Sequence, residues 1–349
     1  MEEGTSHSPR RERSPFMLDD FASCLEPHHR ILLTTHENPD GDAIGSLVGL
    51  AHYLRLQGKE IRIVVTPEVP NSLTFLDENG WIEAFEPEGH HLDLAAWPDV
   101  WLLVDASEPH RTGKMEKAFK ASKAKKVCLD HHLKEKPGGF DMEFTDATAS
   151  ASSELVLEFV TPRMPRPLPL AMATALYAGI VDDTGSFRFS NATPQIHRLA
   201  ANLIEDGVDP ARTFQDLYHQ GRPERLRLFG KAFESLRILA EGRYGVISLT
   251  QADLRACGAD HGDMEGLVNE PLKLKGVEVS ALLHELEDGR FKASLRSRGL
   301  VDVNAVCRRF GGGGHRLASG AKLDGPLERV QTVVDAAILD QLQVDASPH

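Results

Sequence analysis

From residue 30 the chain alternates short apolar runs with helical stretches, and several of the runs end in acidic or imidazole side chains. "RILLTTH" reads as a buried strand; "AIGSLVGLAHYLRLQG" follows with helical spacing and Gly58 as its stop signal. "EIRIVVT", "DVWLLVDAS" and "AKKVCLDHH" are three further strands, with the helical "GKMEKAFKAS" between the last two. This alternation predicts an α/β fold built on a doubly wound parallel sheet. Such sheets gather ligands beyond the carboxyl ends of their strands. Three of the runs deliver His36, Asp40 and Asp42, then Asp105, then Asp130, His131 and His132 to that edge.

The rest of the chain divides by pattern. Residues 147–240 read as mostly helical, with Thr193 as N-cap and Pro194 at the first helical position of one segment. "RPERLRLFGKAFESLRIL" has amphipathic spacing and is expected to connect two domains. After Gly242 come the strand "RYGVISLT", a β-hairpin turning at "EDGR", the helix "VDVNAVCRRF", the run "GGGGHRLASG" and a closing helix. The expected organisation is a disordered tail over 1–20, a first domain over 21–222, a connector helix over 223–241 and a smaller mixed α/β domain over 242–345.

Composition excludes several classes. No apolar run reaches the ~20 residues of a membrane span, and the polar start lacks the apolar core of a secretory signal. Cys24, Cys128, Cys257 and Cys307 are widely spaced, which predicts reduced thiols in the cytoplasm and no thiolate metal site. A net charge of −13 argues against coating long duplex nucleic acid. An anionic substrate then needs positive charge concentrated locally.

The strand-end residues, joined by Asp182 and Asp183 of "VDDTGSF", offer oxygen and imidazole donors without thiolate. That set suits Mn²⁺, Mg²⁺ or Co²⁺ better than structural zinc. Asp40 and Asp42 flank Gly41 and can address two different ions, and Asp105 at a central strand end suits a bridge between them. Without metal, such carboxylates repel, and some take up protons. Two ions roughly 3.5–4 Å apart activate water and stabilise in-line displacement, which favours hydrolysis at phosphorus. Each piece alone has a plainer reading: "NPDG" makes a good β-turn, and Asp105 can cap a turn. One sheet edge collecting all of them favours a site.

Positive charge is concentrated near the C-terminus, where Arg290, Lys292, Arg296, Arg298, Arg308, Arg309 and Arg316 face only Asp302. Within it, Gly312, Gly313 and Gly314 let backbone N–H groups approach a phosphate or base, with His315 and Ser319 beside them. Gly311 also suits a helix C-cap. Arg296 and Arg298, on either side of Ser297, are expected on one face at the end of the hairpin strand, suited to bidentate phosphate contact.

"THENPDGDAIGS", "LLVDAS", "LDHH" and "GIVDDTGSFRFSNATP", in that order, resemble the four motifs of the DHH phosphoesterase superfamily. "SLRSRGLVDVNAVCRRFGGGGHRLASGA" resembles its DHH-associated C-terminal domain, and the branch it is most similar to is the bifunctional oligoribonuclease and pAp phosphatase. The resemblance implies a two-Mn²⁺ site, with Mg²⁺ or Co²⁺ as alternatives. His36, Asp40 and Asp105 would hold one ion; Asp42, Asp105, His131 and Asp183 would hold the other. His132 would contact the scissile phosphate, and Asp130 would orient the neighbouring imidazole. Arg296, Ser297, Gly312, Gly313, Gly314, His315 and Ser319 would bind substrate. The implied substrates are RNAs a few nucleotides long and pAp; homodimer formation stays open. Two alternatives are a phosphodiesterase for linear or cyclic dinucleotides such as pApA, and a non-catalytic nucleotide sensor.

Overall fold

In the computed structural model, which describes residues 17–132 and 138–345, the apolar runs become the strands of a parallel sheet. The chain divides between Gln220 and Gly221 into two units. The first contains α1 (Met17–Leu25), β1 (Arg30–Thr34), α2 (Gly41–Leu56), β2 (Glu60–Val65), β3 (Ile82–Ala84) and β4 (Val100–Val104). It continues with α3 (Glu116–Ala121), β5 (Lys125–Asp130), β6 (Met142–Thr145), α4 (Ser152–Val160), α5 (Leu170–Asp183), α6 (Pro194–Glu205) and α7 (Pro210–Tyr218).

The six strands run parallel in the order β3-β2-β1-β4-β5-β6. The order reverses between β1 and β4, so the chain leaves those strands in opposite directions and opens a crevice at their carboxyl ends. Alternate residues of each strand feed opposite faces. Ile31 and Leu33 join the larger core with Leu47, Leu155 and Leu176 from α2, α4 and α5. Leu32 points the other way, with Trp101 and with Phe119 of α3. Trp101 and Phe119 meet edge to face at 5.4 Å between centroids.

A disordered tail is expected over 1–20, but Met17–Asp20 belong to a helix. Residues 1–16 lie outside the described residues, and Met17–Leu25 is helical. Its apolar side holds it: Phe21 is fully buried between Phe144 and Phe159, at 5.2 and 4.9 Å between ring centroids.

The second unit contains α8 (Pro223–Glu234), β7 (Arg237–Leu239), β8 (Tyr244–Leu249), α9 (Gln251–Cys257), β9 (Val279–Glu285) and β10 (Phe291–Ser297). α10 (Val303–Arg308), β11 (Gly313–His315), β12 (Ala318–Leu323) and α11 (Leu327–Asp345) complete it. Its mixed sheet has the order β11-β12-β10-β9-β8-β7, antiparallel except between β8 and β9. α10 and α11 cover one face through Val303, Val306, Val334 and Ile338. The segment 223–241, expected as one connector helix, is helical only to Glu234: α8 buries Leu228 and Ala232 against Ile247 and Leu249, and Arg237–Leu239 extends the sheet. Among the described residues, no helix is long and apolar enough to cross a membrane.

Candidate active site

Five chain segments bring their polar ends to the crevice. β1 runs out through Thr35 to His36, which is buried. Asp40 caps α2 by accepting the Ala43 N–H at 3.0 Å. Asp105 follows β4 with a left-handed φ of 59°, and Asp130 ends β5. Asp183 closes α5.

Of three ligand-like groups among the described residues, one is Asp105, Asp130, His131 and His132, and the other two collect the remaining donors. In the first of these two, His36 Nε2 lies 3.4 Å from Asp105 Oδ2 and 3.8 Å from Asp40 Oδ2. In the second, His131 Nε2 lies 3.4 Å from Asp105 Oδ1, 3.5 Å from Asp183 Oδ2 and 3.9 Å from Asp42 Oδ2. Asp105 therefore turns one oxygen to each of the two. Among the described residues, buried His131 Nε2 has no hydrogen-bond partner. These separations exceed a good N–H···O bond of about 2.7–3.2 Å. They suit donors that share an ion, since ligands about 2.0–2.2 Å from a metal stand roughly 3 Å or more from one another. The residues thus fit a divalent ion in each of these two groups.

Electrostatics point the same way. Burial opposes charge on His36, but Asp105 and Asp40 outweigh it and raise its pKa to about 10. His131 rises to about 10 for the same reason, with Asp105, Asp42 and Asp183 overcoming burial. Burial, and then repulsion from Asp105, raise Asp42 well above the carboxylate range. Burial first, then Asp105 and Asp40, raise Asp183 to about 6. Asp105 goes down instead, because His131 and His36 overcome the effect of its burial. With no cation bound, the cluster collects protons in its place.

Asp130 has a different task. Its Oδ1 accepts the N–H groups of His131 and His132 at 2.8 and 3.2 Å and His132 Nδ1 at 2.8 Å. The half-exposed His132 ring is thereby oriented through Nδ1.

In the second unit, opposite partners across antiparallel strands share a face. Arg296 pairs with Ala318, and Ala318 with His315, so Arg296 and His315 stand in one row; Gly313 sits in the next, paired with Gly320. Ser319, expected beside them, is one residue out of phase. It lies on the buried face with its Oγ 3.3 Å from Asn304 Oδ1, and Gly314, its pair, has φ 146°. Ser297 Oγ accepts the N–H groups of Gly299 and Val301 at 3.2 and 3.3 Å, which ends the strand. The chain bends there, so Arg298 does not join Arg296; its guanidinium donates to the Leu272 carbonyl. Gly311 closes α10 with φ 72°, and at Gly312 a side chain would collide with the Gly320 carbonyl.

A model of the DHH family's N-terminal domain matches residues 30–180, and one of the DHHA1 domain matches residues 249–340. Over 344 residues the chain is 31% identical to the bifunctional oligoribonuclease and PAP phosphatase NrnA of Thermus thermophilus, covering 97% of this chain and 98% of that protein. The chain belongs to the DHH family. The NrnA of Bacillus subtilis, with the same description, is 31% identical over 311 residues, 88% of this chain and 93% of that protein. An exopolyphosphatase-related protein from Bacteroides fragilis has the same fold, with a TM-score of 0.88 at 29% identity over 96% of this chain and 98% of that one.

Several residues that shape this DHH site carry no chemistry of their own and are not singled out by the sequence. Ser152 and Ser153, at the start of α4, donate their backbone N–H groups to the two oxygens of Asp42 at 2.6 and 2.8 Å. Ser152 Oγ also reaches Asp105 Oδ1 at 3.0 Å. The serine run before an apolar helix signals a helix start, whose free N–H groups bind carboxylates. The two aspartates of "VDDTG" separate cleanly. Asp183 faces His131, while Asp182 accepts the Gly41 N–H at 2.7 Å and the Tyr218 hydroxyl at 2.9 Å. A side chain on Gly41 would lie 2.6 Å from Asp182 Oδ2, so only glycine lets the turn between Asp40 and Asp42 seat there.

Proposed function

We propose that this chain is a divalent-metal-dependent phosphoesterase that hydrolyses oligoribonucleotides a few residues long to mononucleotides and removes the 3′-phosphate of pAp. The observation that carries the reading is the pair of ligand groups, His36/Asp40/Asp105 and Asp42/His131/Asp183, joined by Asp105. The activities for which the two NrnA relatives are named, together with similarity over nearly the whole chain, support the substrate class.

His36, Asp40 and Asp105 would hold one ion; Asp42, Asp105, His131 and Asp183 would hold the other, with Mn²⁺ favoured over Mg²⁺ or Co²⁺. When bound, such ions supply Lewis acidity to a phosphoryl oxygen and lower the pKa of water. The Ser152 and Ser153 N–H groups fix Asp42 so that both its oxygens stay aimed. Asp130 holds His132 by Nδ1, and His132 then contacts the scissile phosphate through Nε2. Arg296 and His315 take the substrate's phosphates or terminal base.

The test is a product time course on labelled RNAs from dinucleotide to decanucleotide, together with pAp and a cyclic dinucleotide, each with Mn²⁺ or Mg²⁺. Mononucleotides from the shortest RNAs and AMP from pAp are expected, and His131→Ala should abolish both. Cleavage confined to linear or cyclic dinucleotides would move the activity to that class. Tight nucleotide binding with no turnover in either metal would make the chain a sensor.

Gly313 provides a sharper check on the second unit. It is exposed, its φ is outside the left-handed region, and a side chain there would meet nothing within 4 Å. Neither packing nor conformation asks for glycine. Gly313→Ala should leave the melting temperature unchanged yet raise KM about tenfold, a loss near 1.4 kcal/mol, by filling space that a substrate phosphate or base must enter. An unchanged KM would remove Gly313 from the binding surface.

A further inference from the structure

The face that carries Arg296 and His315 continues along the strands. Ser294, Gly320 and Gly313 form the next row, and Lys292 and Lys322 stand directly opposite each other in the row after. Successive rows are about 6.8 Å apart. The middle row has almost no side chains, so it makes a low floor between two cationic ends. Both lysines are exposed, and the intervening residues Ala293 and Ala321 point to the covered face.

Like charges placed directly across two strands destabilise the pair. Among the described residues neither lysine makes an ion pair. Asp288, an acid that senses Lys322, is already held by Arg290 at 2.7 Å. His284, the neighbour of Lys292 on β9, contributes no negative charge; burial, then Lys292 and His261, push its pKa down to about 4. Lys292 also leans over the floor: its Cε lies 3.9 Å from where a Gly320 side chain would begin. The paired lysines and the bare floor fit an extended anion that enters beside Arg296 and runs toward them.

We propose that Lys292 and Lys322 form a second phosphate subsite, gripping a phosphate further along the chain from the one at Arg296 in RNAs longer than a dinucleotide. The inference rests on the reading of Arg296 and His315 as substrate contacts, and it adds the means by which longer substrates are favoured.

The test compares wild type with a double Lys292→Ala, Lys322→Ala variant on pAp, a dinucleotide and a pentanucleotide. The variant should raise KM for the pentanucleotide about tenfold more than for the dinucleotide or pAp. The slope of log KM against log salt for the pentanucleotide should fall by about 0.7 for each phosphate that the lysines no longer neutralise. Equal changes for all three substrates, or none for the pentanucleotide, would overturn the subsite. If wild type hydrolyses neither RNA nor pAp, the functional reading fails on its own. The subsite is then judged by equilibrium binding of the labelled pentanucleotide, where the same selective weakening is required.

Discussion

Asp183→Asn should lower turnover by at least about 100-fold while making the metal-free protein more stable. The first effect follows from the place of Asp183 in the second ligand group, 3.5 Å from His131 Nε2. Outer partners of metal ligands cost about 10–100-fold when removed, and losing a ligand should exceed that. The second effect follows from the raised pKa of about 6, which burial and the neighbouring carboxylates impose against an ordinary value of 3.8. The folded chain resists ionising this group, so the penalty is full above about pH 6 and vanishes below about pH 4. Asparagine removes it, and at pH 8 the melting temperature should rise by about 2–4 °C for each kcal/mol relieved. Saturating Mn²⁺ should reverse the order, because only wild type keeps the full set of proposed ligands and so gains the full binding energy. Scanning calorimetry at pH 8 and pH 4, with and without Mn²⁺, reads all three outcomes. A variant that is less stable without metal would show that Asp183 serves the fold rather than a cation site.

Asp182→Asn makes the contrast. It leaves the charge of the cluster in place and disturbs the Gly41 and Tyr218 contacts instead. Its cost should fall on stability, about 1 kcal/mol for weakening the hydrogen bonds of a partly buried carboxylate, with a smaller loss of turnover. Two adjacent aspartates of one tetrapeptide thus meet different partners because they point in different directions from the last turn of α5.

That division marks the boundary of what the sequence makes legible. Residues that supply charge at strand ends are visible in it, because continuous apolar runs, buried on both faces, announce parallel strands and their carboxyl edges announce a crevice. Asp105 can be placed at a central strand end from "LLVDAS" alone, and the donors do gather where the strand order reverses. Residues that position the donors are harder to see. Ser152 and Ser153 hold Asp42 from 110 and 111 positions away, a relation that only the packing of α2 against α4 and α5 creates. Short edge strands such as β3 and β6 bury too few residues to show a pattern. In the second unit, strand phase decides which side chains reach one face, and the sequence does not reveal where β10 ends. Ser319 and Arg298 therefore leave the face expected for them, whereas Arg296 and His315 fall in one row.

Arg296→Ala should raise KM by about 10- to 100-fold and lower turnover much less. The guanidinium is half-buried, and burial alone moves its pKa, downward from the usual arginine value. Among the described residues it makes no ion pair; its Nη1 donates to the Leu295 carbonyl at 3.0 Å. Arginine keeps its charge even so. A partly desolvated cation without a carboxylate is a cost to the free protein, and a phosphate placed in the same row as His315 would relieve it. Hydrogen bonds to a charged group are worth about 1.5–3 kcal/mol, which converts to the stated change in KM. Because the free protein bears that cost, Arg296→Ala should not lower the melting temperature. Arg296→Lys should fall between wild type and alanine, retaining charge but losing the two-pronged grip on a phosphate. Steady-state kinetics on pAp and a dinucleotide separates the cases. A fall in turnover at unchanged KM would mean that Arg296 meets its phosphate only in the transition state, and it would assign this arginine to the chemical step instead of to substrate capture.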